Sequence, residues 1–285
     1  MNMNFVSSIR KCSPSLLFKC YLAALLLVLN ACQNDDSPEI SGSVLHITAN
    51  IDNPSSRAMN TNTSFVNGDG VGVMVKDAMN EQYLDYSHLQ FTYDLNGTGE
   101  WQCDKTVLLM DAKATLYGYY PYQNNCDMTA IQVDMTAADQ TDWMYATPVN
   151  RVNKDNADIN MTFNHMLANI RLVIEKGTYT GNGNITSVSL TSDGLASKGI
   201  FNAAQATPGY TSMEGAGEEF VRSVSAVAGG TPLDIMVIPT GVEASIDIYI
   251  TVDGVEYVAQ TSAVTLESGY NYQYTLRLND GSVSL

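Results

Sequence analysis

Three histidines, His46, His88 and His165, thirty acidic residues and five cysteines are the side chains of this 285-residue chain best suited to chemistry. The histidines lie far apart, and none has a second ligand-type residue at a spacing that a zinc site uses, so each is expected as a strand residue. No Gly-x-Ser-x-Gly elbow, phosphate-cradling glycine loop or dinucleotide fingerprint occurs. Asn67-Gly68-Asp69-Gly70 and the run from Asp134 to Asp142 offer carboxylates, but neither completes a calcium-binding loop with its terminal glutamate. With so many carboxylates some pair will lie close by chance, which does not by itself make a glycosidase pair. The expectation is a protein that is not an enzyme and carries no metal and no cofactor.

The cysteines point to a different chemistry. Arg10, Lys11 and Lys19 precede an apolar run, Tyr21 to Leu29, that ends in Leu29-Asn30-Ala31-Cys32. The run is far shorter than the ~20 residues a membrane-spanning helix needs, so residues 1–31 read as a cleaved export signal. Leu-Asn-Ala-Cys resembles the bacterial lipoprotein signal, in which a small residue before the cysteine lets a peptidase leave a lipidated amino-terminal cysteine. Cys32 is therefore the expected lipidation site. Several acyl chains, at about 0.8 kcal/mol per buried methylene, attach a protein firmly to a membrane without threading it through. The polar, acidic Gln33-Asn34-Asp35-Asp36 behind it resembles the sorting signal of surface-exposed outer-membrane lipoproteins, and residues 32–42 read as an acidic tether.

Cys12 and Cys20 leave with the leader, so only Cys103 and Cys126 remain in the folded body. Two cysteines in an oxidising compartment invite a disulfide, but their spacing leaves open whether they face each other. The leader holds three of the fourteen basic residues and no acidic ones, so the rest sets eleven basic against thirty acidic residues, a net charge of −19. Such a surface repels phosphates, which makes nucleic acid an unsuitable partner.

Only 15% of the chain is charged, while Thr, Ser, Asn, Gly and Tyr abound, as in extracellular β-proteins with many turns. Apolar and polar residues alternate at period two throughout, with no long helical stripe. Strands are expected at Val44 to Ile51, Gly70 to Lys76, Leu89 to Tyr93, Thr106 to Met110, Ala114 to Tyr120 and Asp158 to Phe163. A second set follows at Leu167 to Glu175, Ile185 to Thr191, Gly199 to Asn202, Glu219 to Ala226, Leu233 to Ile238, Ala244 to Val252, Val255 to Thr261 and Tyr270 to Leu278. Asn67-Gly68-Asp69-Gly70, Asn96-Gly97-Thr98-Gly99 and Asp253-Gly254 punctuate them as turns. Short strands at this spacing argue for an all-β protein of two β-sandwich domains in series, residues 43–164 and 165–285. The aromatic run Tyr117-Gly118-Tyr119-Tyr120-Pro121-Tyr122 suits core and rim better than a sugar platform, because alternation turns one set of tyrosines inward and proline ends the strand. Trp101 and Trp143 read as packing residues.

Several motifs stand in a recognisable order: the lipoprotein signal, an opening strand, Ser56-Arg57-Ala58 in a polar loop, and Phe65-Val66-Asn67-Gly68-Asp69-Gly70-Val71-Gly72-Val73. Leu116 to Tyr122, Asp142-Trp143-Met144-Tyr145-Ala146, Ile159 to Ile170, Ile235 to Pro239 and Gly269 to Leu276 follow. Together they resemble the fimbrillin family, the lipoprotein pilins of Bacteroidales, across nearly the whole chain beyond the leader.

The resemblance implies two tandem transthyretin-like β-sandwich domains and assembly by donor-strand exchange. An arginine-specific protease would cut after Arg57, before Ala58, and the first strand, with Val44, His46, Thr48 and Asn50, would leave. The groove left behind would accept a strand from another subunit, since a sandwich without an edge strand has unpaired backbone groups and an open apolar slot. Implied partners are other fimbrillin subunits, the protease, the outer membrane through the lipid, and a surface ligand of host or bacterium. The short run Asn279 to Leu285 after the last strand suits a tip, anchor or accessory subunit of a surface fimbrium serving adhesion. The alternative is a monomeric surface lipoprotein that binds glycan or host protein through loops and exposed tyrosines.

Overall fold

The computed structural model describes residues 41–52, 63–97, 99–137 and 140–285, which contain strands and no helix. In chain order the first strands are β1 (Ser43–Val44), β2 (His46–Ile51), β3 (Gly70–Asp77), β4 (Leu89–Asp94), β5 (Glu100–Cys103), β6 (Leu108–Leu109) and β7 (Ala114–Tyr120). Then come β8 (Ile131–Asp134), β9 (Met144–Ala146), β10 (Val149–Val152), β11 (Asp158–His165), β12 (Ala168–Lys176), β13 (Asn184–Thr191) and β14 (Lys198–Asn202). The remainder are β15 (Gly209–Glu214), β16 (Phe220–Val227), β17 (Leu233–Val237), β18 (Asp247–Val252), β19 (Val255–Gln260), β20 (Asn271–Asn279) and β21 (Ser282–Ser284).

Residues Gly42–Leu285 form one compact unit. Its largest sheet runs β2-β11-β9-β7-β3-β4-β5, with β10 pairing β7 off that path. Alternation along these strands turns Val71, Val73, Val75, Phe91, Leu116, Met161 and Phe163 into one apolar cluster. Two further sheets, β17-β12-β20-β21 and β16-β13-β18-β19, enclose a second cluster built on Ile170, Leu172, Val188, Leu190, Ile248 and Ile250. A third cluster holds Tyr117, Tyr119, Ile131, Trp143, Met166, Leu167, Phe201 and Ile238, residues from both stretches of chain. A three-stranded sheet, β15-β14-β8, crosses the same region, because β8 pairs β14 from Phe201↔Ile131 to Lys198↔Asp134.

β7 shows how the aromatic run is used. Its two faces serve different clusters: Leu116 enters the first, Tyr117 and Tyr119 the third, and all three are buried. Gly118 lies beneath Met161, Ala146 and Phe163, where a Cβ would crowd the Met161 methyl.

Every anticipated strand is present, although Thr106 to Met110 contracts to the two residues of β6. The strands not anticipated, β5, β8, β9, β10, β15 and β21, have three to six residues. Alternation over so few positions is weak, and they are extended because a neighbouring strand takes their backbone groups.

Candidate functional site

The strand expected to leave occupies a sheet edge. β2 pairs parallel with β11 from His46↔Asp158 to Ile51↔Phe163, and among the described residues no strand hydrogen-bonds to its other edge. Backbone bonds continue this seam at both ends, His46 N donating to Ala157 O (2.9 Å) and Asp52 N to Phe163 O (2.7 Å). Upstream, β1 pairs with β6, Ser43↔Leu109 and Val44↔Leu108, and Leu45 N donates to Val107 O (2.8 Å).

Alternation divides the segment into two faces. Leu45, Ile47 and Ile51 are buried in the first cluster. Val44, His46, Thr48 and Asn50, the positions singled out from sequence, face outward and are exposed. On that outer face Thr48 Oγ1 donates to Asn160 Oδ1 (3.3 Å) and Thr162 Oγ1 to Asn50 Oδ1 (3.3 Å). The residues whose burial holds the strand are therefore the neighbours of those singled out. Each such side chain contributes about 1.5–3 kcal/mol on burial, so the three together hold the segment by roughly 5–9 kcal/mol before strain or entropy.

Beside β2, towards β5, lies a trough of about 380 Å³ lined by Ile47, Ile51, Phe65, Tyr93, Glu100 and Trp101. A second hollow, of about 470 Å³, continues it past His46, Thr48, Trp101 and Asp158. Phe65 forms part of the trough's wall. Its ring meets Trp101 (5.0 Å between centroids), Tyr120 (5.4 Å) and Phe163 (5.4 Å) edge-on, the arrangement the aromatic quadrupole favours. Tyr93 stacks on Trp101 at 5.2 Å. Tyr120 donates its hydroxyl to Asp69 (3.1 Å); burial, then that carboxylate, push the phenol up to about 12. The trough thus sets an aromatic wall, with Thr63, Ser64 and Glu100 beside it, along a strand edge that no described strand pairs with, a surface suited to an extended chain.

The histidines do not converge. His46 is exposed on β2, and His88 Nε2 meets Tyr119 Oη at 2.8 Å, where burial pushes the imidazole's pKa down. His165 Nδ1 lies 2.9 Å from Asp142 Oδ1, and both residues are buried. Among the described residues no three His, Cys, Asp or Glu side chains are grouped to hold a metal ion.

Cys103 and Cys126 are both free cysteines, not joined to each other. Cys103, on β5, packs against the first apolar cluster and Cys126 against the third, so they belong to different packing units. Cys32, Arg57 and Ala58 lie outside the described residues.

Phe65 and the trough were not read as a site from sequence. Phe65-Val66 before Asn67-Gly68-Asp69-Gly70 registered as the lead into a strand, and only folding brings Phe65 against Trp101 and Phe163. The one available signal was an aromatic residue directly behind a long polar loop.

The fold is similar to that of a Bacteroides uniformis protein provisionally assigned to cell adhesion, with a TM-score of 0.64 and 19% identity over 85% of this chain and 95% of that one. A Bacteroides ovatus protein with the same provisional assignment matches with a TM-score of 0.63 and 20% identity, over the same shares of both chains. A third, from Parabacteroides distasonis, gives 0.52 at 13% identity over 86% of this chain and 90% of that one. At these identities the likeness concerns fold. No curated protein matches the chain. The family model described as fimbrillin-like matches residues 56–285. The chain belongs to the fimbrillin-like family.

Proposed function

We propose that this protein is a lipidated structural subunit of a surface fimbrium, without catalysis, assembled with other fimbrillin subunits by donor-strand exchange. Lipidation at Cys32 attaches the precursor to the outer membrane, and an arginine-specific protease cuts between Arg57 and Ala58. The segment from Ser43 to Asp52 then leaves, and a strand of another subunit takes its place beside β11. The tandem division into residues 43–164 and 165–285 belongs to this reading; the first two apolar clusters draw their residues from opposite sides of that boundary.

The observation that carries the proposal is the position of β2. It lies at a sheet end, joined through β11 alone, with its apolar face over the core and an open trough at its free side. A strand paired on both edges along its whole length would have to break two full ladders, whereas this segment breaks the β2–β11 ladder and the two-residue pairing of β1 with β6. Roughly 5–9 kcal/mol of side-chain burial still opposes its loss, so spontaneous departure is rare and an incoming strand must restore the same burial. Cleavage serves this step by removing the covalent link, so that a departed strand is diluted away rather than rebinding at high local concentration.

Treatment of the purified precursor with a trypsin-like protease tests the reading. A discrete fragment ending at Arg57 should be lost, and light scattering should then report oligomers. Arg57→Ala should block both. A cleaved protein that keeps the fragment and stays monomeric would overturn the proposal.

A further inference from the structure

A hollow of about 370 Å³ lies between the loop that follows β7 and the start of β8. Gln123, Asn125, Asp127 and Gln132 supply its polar lining, and Ile131 and Trp143 its apolar wall. It shares no residue with the trough beside β2. The loop is pinned in place. The buried Tyr119 hydroxyl donates to Gln123 O (2.9 Å) and accepts from Gln123 N (3.1 Å), and Cys126 N donates to the same carbonyl (3.0 Å). Asp127 Oδ1 accepts from Thr129 N (2.9 Å) and from Thr129 Oγ1 (2.7 Å), while Ala130 N donates to Asp127 O (3.0 Å). Across the hollow, Ile131 and Gln132 are paired with β14, and Trp143 O accepts from Met166 N (2.8 Å). Walls fixed before a ligand arrives lose little freedom when it binds.

The lining has an unusual chemistry. Gln123 and Asn125 are exposed, and among the described residues their carboxamides bond to nothing else in the chain. Gln132 spends one of its N–H groups on Ala130 O (3.0 Å). Of the described residues that line the hollow, only Asp127 is charged, and the bonds from Thr129 hold its carboxyl below the ordinary range, so it is an acceptor at neutral pH. A carboxamide offers donor and acceptor side by side, the complement of a hydroxyl group, which is also both. An anion would meet Asp127 with no cation to balance it, in a chain of net charge −16, and a cation would gain only an exposed ion pair, which contributes little.

The volume is at the small end for a ligand site, room for one ring, yet three carboxamides and a carboxylate surround it where such sites usually have few polar groups. A ring-sized neutral molecule that satisfies so many hydrogen-bonding heads is a polyol. We infer that this hollow binds one neutral pyranose ring, as a glycan presents at its end. The sugar hydroxyls bond to Gln123, Asn125, Asp127 and Gln132, and its less polar face lies against Ile131 and Trp143. Trp143 is 7% exposed, so it closes the hollow as a wall and is no open stacking shelf. The site is independent of cleavage and strand exchange.

Methyl glycosides of glucose, galactose, mannose and N-acetylglucosamine, each at roughly 20 mM with the full chain, test the inference; methyl glucuronide, similar in size but anionic, is the comparison. Cys126 lines the hollow and Cys103 does not, so prolonged alkylation followed by peptide mass mapping reads occupancy. At least one neutral glycoside should slow modification of Cys126 about twofold, the effect of half-filling a site with a Kd of about 20 mM, and leave Cys103 unchanged. The same glycoside should move the Trp143 indole NMR signal and not that of Trp101. Gln123→Ala combined with Asn125→Ala should abolish both effects without moving the thermal midpoint, because these exposed carboxamides hold nothing together. Protection by none of the four glycosides, equal protection by the glucuronide, or protection that survives the double substitution would overturn the inference.

Discussion

Gly72 on β3 pairs with Tyr119 on β7, and the Tyr119 ring lies over the space a side chain at position 72 would fill. Tyr119 is fully buried there, its hydroxyl donating to Gln123 O (2.9 Å) and meeting His88 Nε2 (2.8 Å). The Gly70-Val71-Gly72-Val73 stretch thus has its second glycine because the opposite strand brings a large aromatic against bare backbone. Gly72→Ala should destabilise the fold by about 2 kcal/mol through overpacking, seen as a lower urea midpoint with an unchanged slope. An unchanged midpoint would show that the ring moves aside freely.

The two faces of β2 should respond differently to truncation. Ile47→Ala in the uncleaved protein removes buried atoms over the trough and should cost about 2–4 kcal/mol. Thr48→Ala, next in sequence and exposed, should stay within about 0.5 kcal/mol. Equal losses in chemical denaturation would contradict the assignment of faces.

Acid should weaken the sheet that carries β20. Arg171 on β12 grips Asp234 on β17 with two bonds, Nε to Oδ1 (2.8 Å) and Nη2 to Oδ2 (2.7 Å), and Asn169 Nδ2 adds a third to Oδ1 (2.7 Å). Burial alone would push the Asp234 carboxyl up, but the bonds from Arg171 and Asn169 outweigh it and hold the pKa below its ordinary 3.8. A depressed folded value means the pair's contribution is full above that ordinary value and is lost as pH falls through the folded one. Asp234→Asn should therefore cost about 1–3 kcal/mol at neutral pH, and the difference from the parent should shrink below about pH 3.8 in denaturation series. A difference that stayed constant down to the acid limit would refute the linkage.

Cys103 and Cys126 should titrate as two thiols. Burial, the first cause at both sites, pushes each thiol up, so little thiolate exists at neutral pH. Reaction with a thiol reagent should be slow in the native protein and prompt after unfolding. An intact mass lower by two hydrogens before reduction would reveal a bridge instead.

Much of the fold was legible in sequence because half-buried strands announce themselves by alternation. Val71, Val73 and Val75, or Ile246, Ile248 and Ile250, mark their inner faces whatever partner they later meet. β8 and β9 were not legible, since four and three residues carry too little pattern and their extension depends on β14 and on β7 and β11. The segment 43–52 was recognisable as a strand, but Leu45, Ile47 and Ile51, rather than Val44, His46, Thr48 and Asn50, form its buried face. Which parity points inward depends on the register against β11.

The sequence by itself determined an all-β chain, its main strands and its fimbrillin-like membership, because alternation, turn residues and motif order are local and survive without coordinates. Tertiary structure decided what lies at an edge. That β2 ends its sheet and that Phe65 and Trp101 flank a trough at its free side are long-range facts. Strand order depends on which hydrogen-bonding edges meet, and residues more than a hundred positions apart, such as Thr48 and Asn160, leave no mark of that meeting in their own neighbourhoods.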